Sequence, residues 1–157
     1  MLRAYCDGAC RVSNPGVCSC AWVLYDGPRE MHNSKAYLGP GHSNNYAEYQ
    51  GLLSLLRFCF ANALHDVFIH CDSAVVVNQV NDVWDVNEQA LLPLWREAYG
   101  LLHQGHHRLI HVRGHGGNAN ATDNEGNARA DELCNIVLDM HKEEYEKALA
   151  KTVSVVE

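Results

Sequence analysis

Four acidic residues in separate parts of the chain have the residue type expected of metal ligands. They are Asp7, Glu48, Asp72 and Asp131. Negative charges that are brought close together repel, so a fold that gathers these acids needs cations to hold them. Carboxylate oxygens are the ligands that hard divalent ions such as Mg²⁺ prefer. The four acids therefore predict a site for divalent metal ions.

The positions of these acids along the predicted elements fit that interpretation. Asp7 ends the first strand, Asp72 follows a short buried strand, Glu48 lies in the first turn of a helix, and Asp131 lies within the last helix. Each acid also has an ordinary explanation when it is taken singly. Asp7 and Asp72 can cap a turn or a helix, Glu48 suits the positive end of a helix dipole, and Asp131 can belong to a solvated helix face. The four acids together favour the metal site.

The elements themselves follow from turn signals and apolar periodicity. Asn14-Pro15-Gly16 and Asp26-Gly27-Pro28 separate three antiparallel strands, and Ser43 or Asn44 can cap the first helix. The predicted strands are 2–7, 17–25, 30–38, 67–71 and 108–112, and the predicted helices are 44–63, 73–80, 88–103 and 125–148. This order, βββαβααβα, predicts an α/β protein in which helices cover both faces of a five-stranded mixed sheet.

Length and composition limit the class of protein. With 157 residues, a single domain over 1–150 and a flexible tail over 151–157 are expected. No run of eighteen apolar residues occurs, and Asp7 arrives before a signal-peptide core could form, so a cytoplasmic protein is expected. The formal net charge of −7 argues against a broad basic surface for nucleic acid. A local site where metal ions supply the positive charge remains open.

The seven cysteines lack the paired spacing of a metal site. Cys18 and Cys20 lie on one face of a predicted strand, which is typical of core packing. Reduced thiols are expected, and one disulfide bond stays open as an alternative.

With all four acidic motifs in order on these elements, the chain resembles the type 1 ribonucleases H over nearly its whole length. The motifs that carry the resemblance are Tyr5-Cys6-Asp7-Gly8-Ala9-Cys10, Asn44-Asn45-Tyr46-Ala47-Glu48, Cys71-Asp72-Ser73, and Gly114-His115-Gly116 followed by Asn127 and Asp131. Between Ser73 and Ile110 the only basic residues are Arg96 and Arg108. The chain is therefore similar to the compact form of the family, which lacks a basic insertion.

The resemblance implies a ribonuclease H-like fold and an endonuclease that cuts the RNA strand of RNA–DNA hybrids. It implies that Asp7, Glu48, Asp72 and Asp131 hold two Mg²⁺ ions, with Mn²⁺ as an alternative. By the same resemblance, His115 shuttles protons or helps to release the product. It also implies a set of substrate-binding residues, which are Asn14, Ser43, Asn44, Asn45 and Asn127. One departure is the longer link over residues 118–124, which is expected to be mobile and to hold His115 away from the metal ions.

Two other functions stay open at this point. A nuclease for another duplex, such as double-stranded RNA, would use the same acids, because a fold alone does not fix the substrate. A non-catalytic module that binds hybrids or a protein partner is the second alternative, and the presence of all four acids argues against it. The expected partner is the RNA–DNA hybrid, and a monomer without an obligatory protein partner or membrane contact is expected.

Overall fold

A five-stranded mixed sheet forms the centre of the computed structural model, which describes residues 1–156, with side chains as far as residue 151. The strands are β1 (Leu2–Arg11), β2 (Gly16–Asp26), β3 (Arg29–His42), β4 (Phe68–Cys71) and β5 (Arg108–His111). Their order across the sheet is β3-β2-β1-β4-β5. The first three strands pair antiparallel, whereas β1, β4 and β5 pair in parallel. The predicted α/β class and mixed sheet are confirmed.

Five helices surround this sheet. They are α1 (Asn44–Ala61), α2 (Ala74–Val80), α3 (Leu92–Gln104), α4 (Ala121–Met140) and α5 (Lys142–Val156), and a 3-10 turn over Gln89–Leu91 precedes α3. Ser43 caps α1, because its hydroxyl oxygen accepts a hydrogen bond from the Tyr46 N–H group at 3.1 Å. In the described part of the chain, no helix combines the length and the apolar character needed to cross a membrane.

Alternation along β1 and β2 distributes the core over the two faces of the sheet. On one face, Ala4, Cys6 and Leu24 belong to a large cluster with the buried side chains of α1, α2 and α3. On the other face, Tyr5 and Val23 pack with buried residues of α4. Helices therefore cover both faces, as the element order predicts.

The C-terminal region differs from the single helix predicted over 125–148. Helix α4 ends at Met140, and α5 begins after His141. The break lets the His141 ring stack on Tyr37, with ring centroids 3.8 Å apart, and lets Tyr145 pack against Val17. Helix α5 continues into the segment predicted as a flexible tail. Because Glu157 lies outside the described residues, the division at residue 150 stays a prediction.

A disulfide bond joins the first two strands, where reduced thiols were expected. Cys10 and Cys18 are direct partners in the β1–β2 register, and their sulfur atoms are bonded. The expectation was wrong for this pair because it considered Cys18 with Cys20 on one strand and not with its cross-strand neighbour. Cys20 is buried and unpaired, as core packing predicts.

Candidate active site

Parallel strand pairing sets Asp7 beside Asp72. In the β1–β4 register, Cys6 lies opposite Cys71, so the next residue of each strand is an acid. Strand β4 ends at Cys71, whereas β1 continues to Arg11 because it still pairs with β2. Asp7 was predicted at the end of the first strand, but it lies in the middle of β1. It lies at the point where the neighbouring strand stops and leaves room for side chains.

Two glycines bring Glu48 of α1 close to these acids. A Cβ atom at Gly8 would overlap the backbone of Ala47 and Glu48, and one at Gly51 would press on the Asp7 carbonyl group. Only residues without a side chain allow β1 and α1 to approach so closely. The close packing fixes the distance between the helix and the strand that carry two of the acids.

Asp7, Glu48 and Asp72 form a compact acidic cluster. Each offers a carboxylate oxygen, and these oxygens all lie within 4.8 Å of one another. Asp7 is only 4% exposed. Burial raises the pKa of Asp7 well above its usual range, and the charge of Asp72 raises it further. Burial is also the main cause that raises the pKa of Glu48.

The acidic cluster has the chemistry of a divalent metal site. In the described part of the chain, none of its three carboxylates forms an ion pair with a cationic side chain. Oxygen ligands without a protein cation suit Mg²⁺ or Mn²⁺, which neutralise the repulsion between the acids. The residues present therefore fit the metal ions that the sequence predicts.

Two neighbours contact the acidic cluster in ways that the sequence analysis missed. Asn127, predicted to bind substrate, is buried and donates from Nδ2 to Oδ2 of Asp72 at 3.4 Å. The Cys71 thiol donates to Oε2 of Glu48 at 3.8 Å. The position of Asn127 one helical turn before Asp131 was visible in the sequence, but its partner on another element was not.

Asp131 lies to one side of the acidic cluster, on the exposed surface of α4. It is not one of the three acids within 4.8 Å of one another, although its charge contributes to the raised pKa of Asp7. With exposed His115 it lines an open cavity of about 420 Å³. Gly114, next to His115, lies close enough to the site that a Cβ atom there would be 3.3 Å from Oδ2 of Asp72. The fold thus brings all five predicted catalytic residues to one region.

Four of the predicted substrate-binding residues lie together at the N-terminus of α1 and in the turn after β1. Oδ1 of Asn14, in the turn after β1, accepts a hydrogen bond from the Asn44 N–H group at 3.0 Å. Ser43 and Asn45 flank Asn44, so this group combines a helix cap with a hairpin turn. The hydrogen bond joins two segments that are thirty residues apart in the chain.

The long link between His115 and Asp131 is held by hydrogen bonds and is not the unconstrained loop that was expected. Helix α4 already begins at Ala121, after an Asn120 cap. Before it, Asn118 bonds to Arg113 and to Asn124. The link is thus one helical turn shorter than the sequence predicted, and hydrogen bonds from the Asn118 and Asn124 side chains hold its two ends together.

This fold and site define a class of α/β proteins that gather carboxylates at the middle of a mixed sheet, where a short parallel strand ends. Within that class, the family model for RNase H matches residues 1–138. The chain belongs to the ribonuclease H family, and the resemblance seen in the sequence is confirmed.

Known relatives agree with this assignment. Ribonuclease HI of Halobacterium salinarum is 32% identical over 90 residues, which is 57% of this chain and 45% of that protein. The crystal structure of RNase H1 from the same archaeon matches at 32% identity and a TM-score of 0.73, covering 88% of this chain and 97% of the other. LC11-RNase H1, in complex with an RNA/DNA hybrid, matches at 28% identity and a TM-score of 0.74, with 89% and 98% coverage. The N-terminal RNase H domain of a Mycobacterium tuberculosis protein matches at 26% identity and a TM-score of 0.77, with 92% and 97% coverage.

Proposed function

We propose that this protein is an endoribonuclease that hydrolyses the RNA strand of RNA–DNA hybrids with the help of divalent metal ions. The observation that carries the proposal is the cluster of three carboxylates without a protein cation, on the fold of the ribonuclease H family. The likeness to LC11-RNase H1, whose structure contains an RNA/DNA hybrid, supports this choice of substrate.

The proposed metal ligands are the four acids. Asp7, Glu48 and Asp72 would hold the ions from the buried side, and Asp131 would complete the set from α4. Two Mg²⁺ ions bound there would supply an activated water and stabilise the charge on the attacking and leaving oxygens, and Mn²⁺ is the alternative.

The remaining residues have supporting roles in this proposal. Asn127 orients Asp72 through their hydrogen bond, and His115 moves protons or helps to release the product at the open cavity. Asn14, Ser43, Asn44 and Asn45, with Asn127, would contact the substrate. Side-chain amides and hydroxyl groups suit the 2′-hydroxyl of RNA, which both donates and accepts hydrogen bonds.

The test is cleavage of one sequence prepared as RNA–DNA hybrid, double-stranded RNA, single-stranded RNA and double-stranded DNA. Each labelled substrate is incubated with Mg²⁺, with Mn²⁺ and with EDTA. We expect metal-dependent cutting of the RNA strand of the hybrid alone. Cutting of another duplex would overturn the substrate, and no cutting of any substrate would favour a non-catalytic module.

A matched pair of variants shows whether the cutting belongs to this site. Asp72→Asn should abolish it, because one carboxylate leaves the acidic cluster. Asp66→Asn is the control, since Asp66 is an exposed acid at the opposite end of β4. Equal activity in the two variants would exclude the acidic cluster as the active site.

Compartment and assembly belong to this proposal as predictions. We expect a cytoplasmic monomer whose partner is the hybrid and which needs no obligatory protein partner. Disulfide bonds persist in oxidising environments and are rare in the cytoplasm, so a Cys10–Cys18 bond found in protein isolated from cells would contradict the cytoplasmic prediction.

A further inference from the structure

We propose that Asn118 and Asn124 are positioning residues that hold His115 over the cavity it shares with Asp131. The inference rests on the proposed function, because it concerns how His115 takes part in the cleavage reaction. It comes from a set of hydrogen bonds within the link between β5 and α4, the segment that the sequence left unexplained.

Asn118 closes the loop that carries His115. Its Oδ1 accepts a hydrogen bond from the Arg113 N–H group at 2.8 Å, and its Nδ2 donates to the Arg113 carbonyl oxygen at 2.7 Å. One amide side chain thus satisfies both backbone groups of the residue at the start of the loop. Inside it, the Gly117 N–H group donates to the Gly114 carbonyl oxygen at 3.3 Å. His115, with φ of 55°, lies in this turn next to Gly116, with φ of 75°.

Asn124 ties this closed loop to α4. Its Oδ1 accepts hydrogen bonds from the backbone N–H group and from Nδ2 of Asn118, at 3.0 and 2.9 Å. Its Nδ2 donates to the Asn118 carbonyl oxygen at 3.0 Å. Three hydrogen bonds therefore join the two asparagines, and both are partly buried. We call this pair the asparagine clasp.

The helix that anchors the asparagine clasp is itself fixed to the sheet. The hydroxyl group of buried Tyr5 in β1 donates to Oδ1 of Asp123 at 2.7 Å. A Cβ atom at Gly126 would overlap the Tyr5 ring, so α4 lies directly against β1. Displacement of the first turn of α4 is thus resisted by the same strand that carries Asp7.

One face of α4 then connects the asparagine clasp with the metal site. Asn124, Asn127 and Asp131 follow one another at spacings of three and four residues, which place them on the same side of a helix. Asn127 donates to Asp72, and all three residues line the 420 Å³ cavity with His115. The helix fixes Asn124 relative to Asp131 and, through Asn127, relative to Asp72. The asparagine clasp adds the missing link, from the helix to the loop.

A purely structural role for these hydrogen bonds makes a different prediction from a positioning role. If they only stabilise the fold, their loss should slow cleavage equally whether or not His115 is present. If they position His115, their loss should matter only when the imidazole is there. Double-mutant cycles separate the two cases.

The experiment measures cleavage of a labelled RNA–DNA hybrid by Asn124→Ala, His115→Ala and the double variant. We expect Asn124→Ala to lower kcat by roughly tenfold to a hundredfold, with KM changed less than about twofold. In the His115→Ala background the same change should alter kcat by less than about twofold. Asn124→Asp should recover only part of the rate, because it keeps the oxygen that accepts both hydrogen bonds from Asn118 but loses the Nδ2 donor to the Asn118 carbonyl oxygen.

The controls separate folding from positioning. Asn62→Ala, which removes an exposed asparagine bonded to Phe58 at the end of α1, should leave kcat unchanged. Thermal melting shows which variants are folded, and Asn118→Asp provides a second cycle if Asn124→Ala is not. Equal slowing in both backgrounds of an active enzyme would overturn the positioning role. A wild-type protein that cuts no hybrid would instead overturn the proposed function, and the role of the asparagine clasp with it.

Discussion

The acidic cluster and the cavity of His115 and Asp131 are two sides of one site, built in different ways. Asp7, Glu48 and Asp72 are fixed by strand register and by glycine contacts between β1 and α1. His115 and Asp131 are exposed, and hydrogen bonds from asparagine side chains to the backbone hold the loop of His115. Backbone packing thus sets the three clustered acids and packing of α4 on the sheet sets Asp131, whereas amide contacts set the loop of His115.

This difference has an electrostatic consequence. The acidic cluster concentrates negative charge where water is partly excluded, so each acid there is costly without a cation and interacts strongly with one. Asp131 lies in water, where screening weakens its interactions. Removal of a carboxylate should therefore affect the cleavage rate more in the acidic cluster than at Asp131.

The largest expected effect is on catalysis. Glu48→Gln should lower the rate of hybrid cleavage by roughly a thousandfold, which corresponds to about 4 kcal/mol of transition-state stabilisation. Asp131→Asn should lose only roughly tenfold to a hundredfold, because a water molecule can replace an exposed carboxylate near a metal ion. Single-turnover cleavage with saturating Mg²⁺ measures both rates. A loss for Asp131→Asn that equals or exceeds that of Glu48→Gln would contradict the proposed division of the site.

The second effect is on stability and compares two glycines. Gly8→Ala should lower the free energy of unfolding by roughly 3 kcal/mol, because its Cβ atom meets the backbone of α1, which has no room to move. Gly114→Ala should cost less than about 1 kcal/mol, because its Cβ atom would lie 3.3 Å from a side-chain oxygen that can shift. Urea unfolding measures both. Similar costs would show that the loop of His115 is packed as tightly as the acidic cluster.

The third effect concerns the hairpin beyond Asp7. The bond between Cys10 and Cys18 closes a loop with a sequence separation of 8. Its reduction should destabilise the protein by roughly 2–3 kcal/mol, mainly because the unfolded chain gains freedom. Thermal melting with and without a reductant measures this change, and Cys10→Ser is the control that should not respond. Thiol counting in denaturant should find five free cysteines before reduction and seven after it. Seven before reduction would exclude the disulfide bond.

The smallest effect is a pH dependence in the absence of metal ions. Because the pKa of Asp7 is raised in the folded protein, the folded state binds more protons than the unfolded state above about pH 4. The metal-free protein should lose stability as pH rises from there through the raised pKa. Asp7→Asn should reduce this loss, although Glu48 also has a raised pKa, and the variant should melt at a higher temperature at pH 7 in EDTA. Asp66→Asn is the control, and an equal rise in both variants would contradict the explanation.

Most of the fold could be predicted because its signals are local. The turn at Asn14-Pro15-Gly16, the cap at Ser43 and the periodicity of the first helix each depend on neighbouring residues, and the structure has all three elements. The errors arose where distant contacts decide. Strand β1 extends to Arg11 because β2 pairs with it, and the last helix breaks at His141, whose ring stacks on Tyr37 of β3.

The site shows the same limit. The motifs predicted the acids, His115 and Asn127 as site residues, but the hydrogen bond from Asn127 to Asp72 could not be predicted, because it joins two elements that are distant in the chain. The role of Asn118 and Asn124 had no signal, because two asparagines in a polar loop are typical of any turn. Their significance appears only when the five residues between them fold so that the two amides meet.

The sequence by itself determined which chemical groups this protein carries, in what order and on which kinds of element, and these are enough to indicate its family. Residue type and short-range spacing are written in the chain and need no folding to be seen. The tertiary structure alone decided that carboxylate oxygens of Asp7, Glu48 and Asp72 lie within 4.8 Å of one another and that Asp131 lies beside them. It also decided that the asparagine clasp holds the loop of His115. Those distances depend on strand register and on helix packing against the sheet, which join residues far apart in the chain.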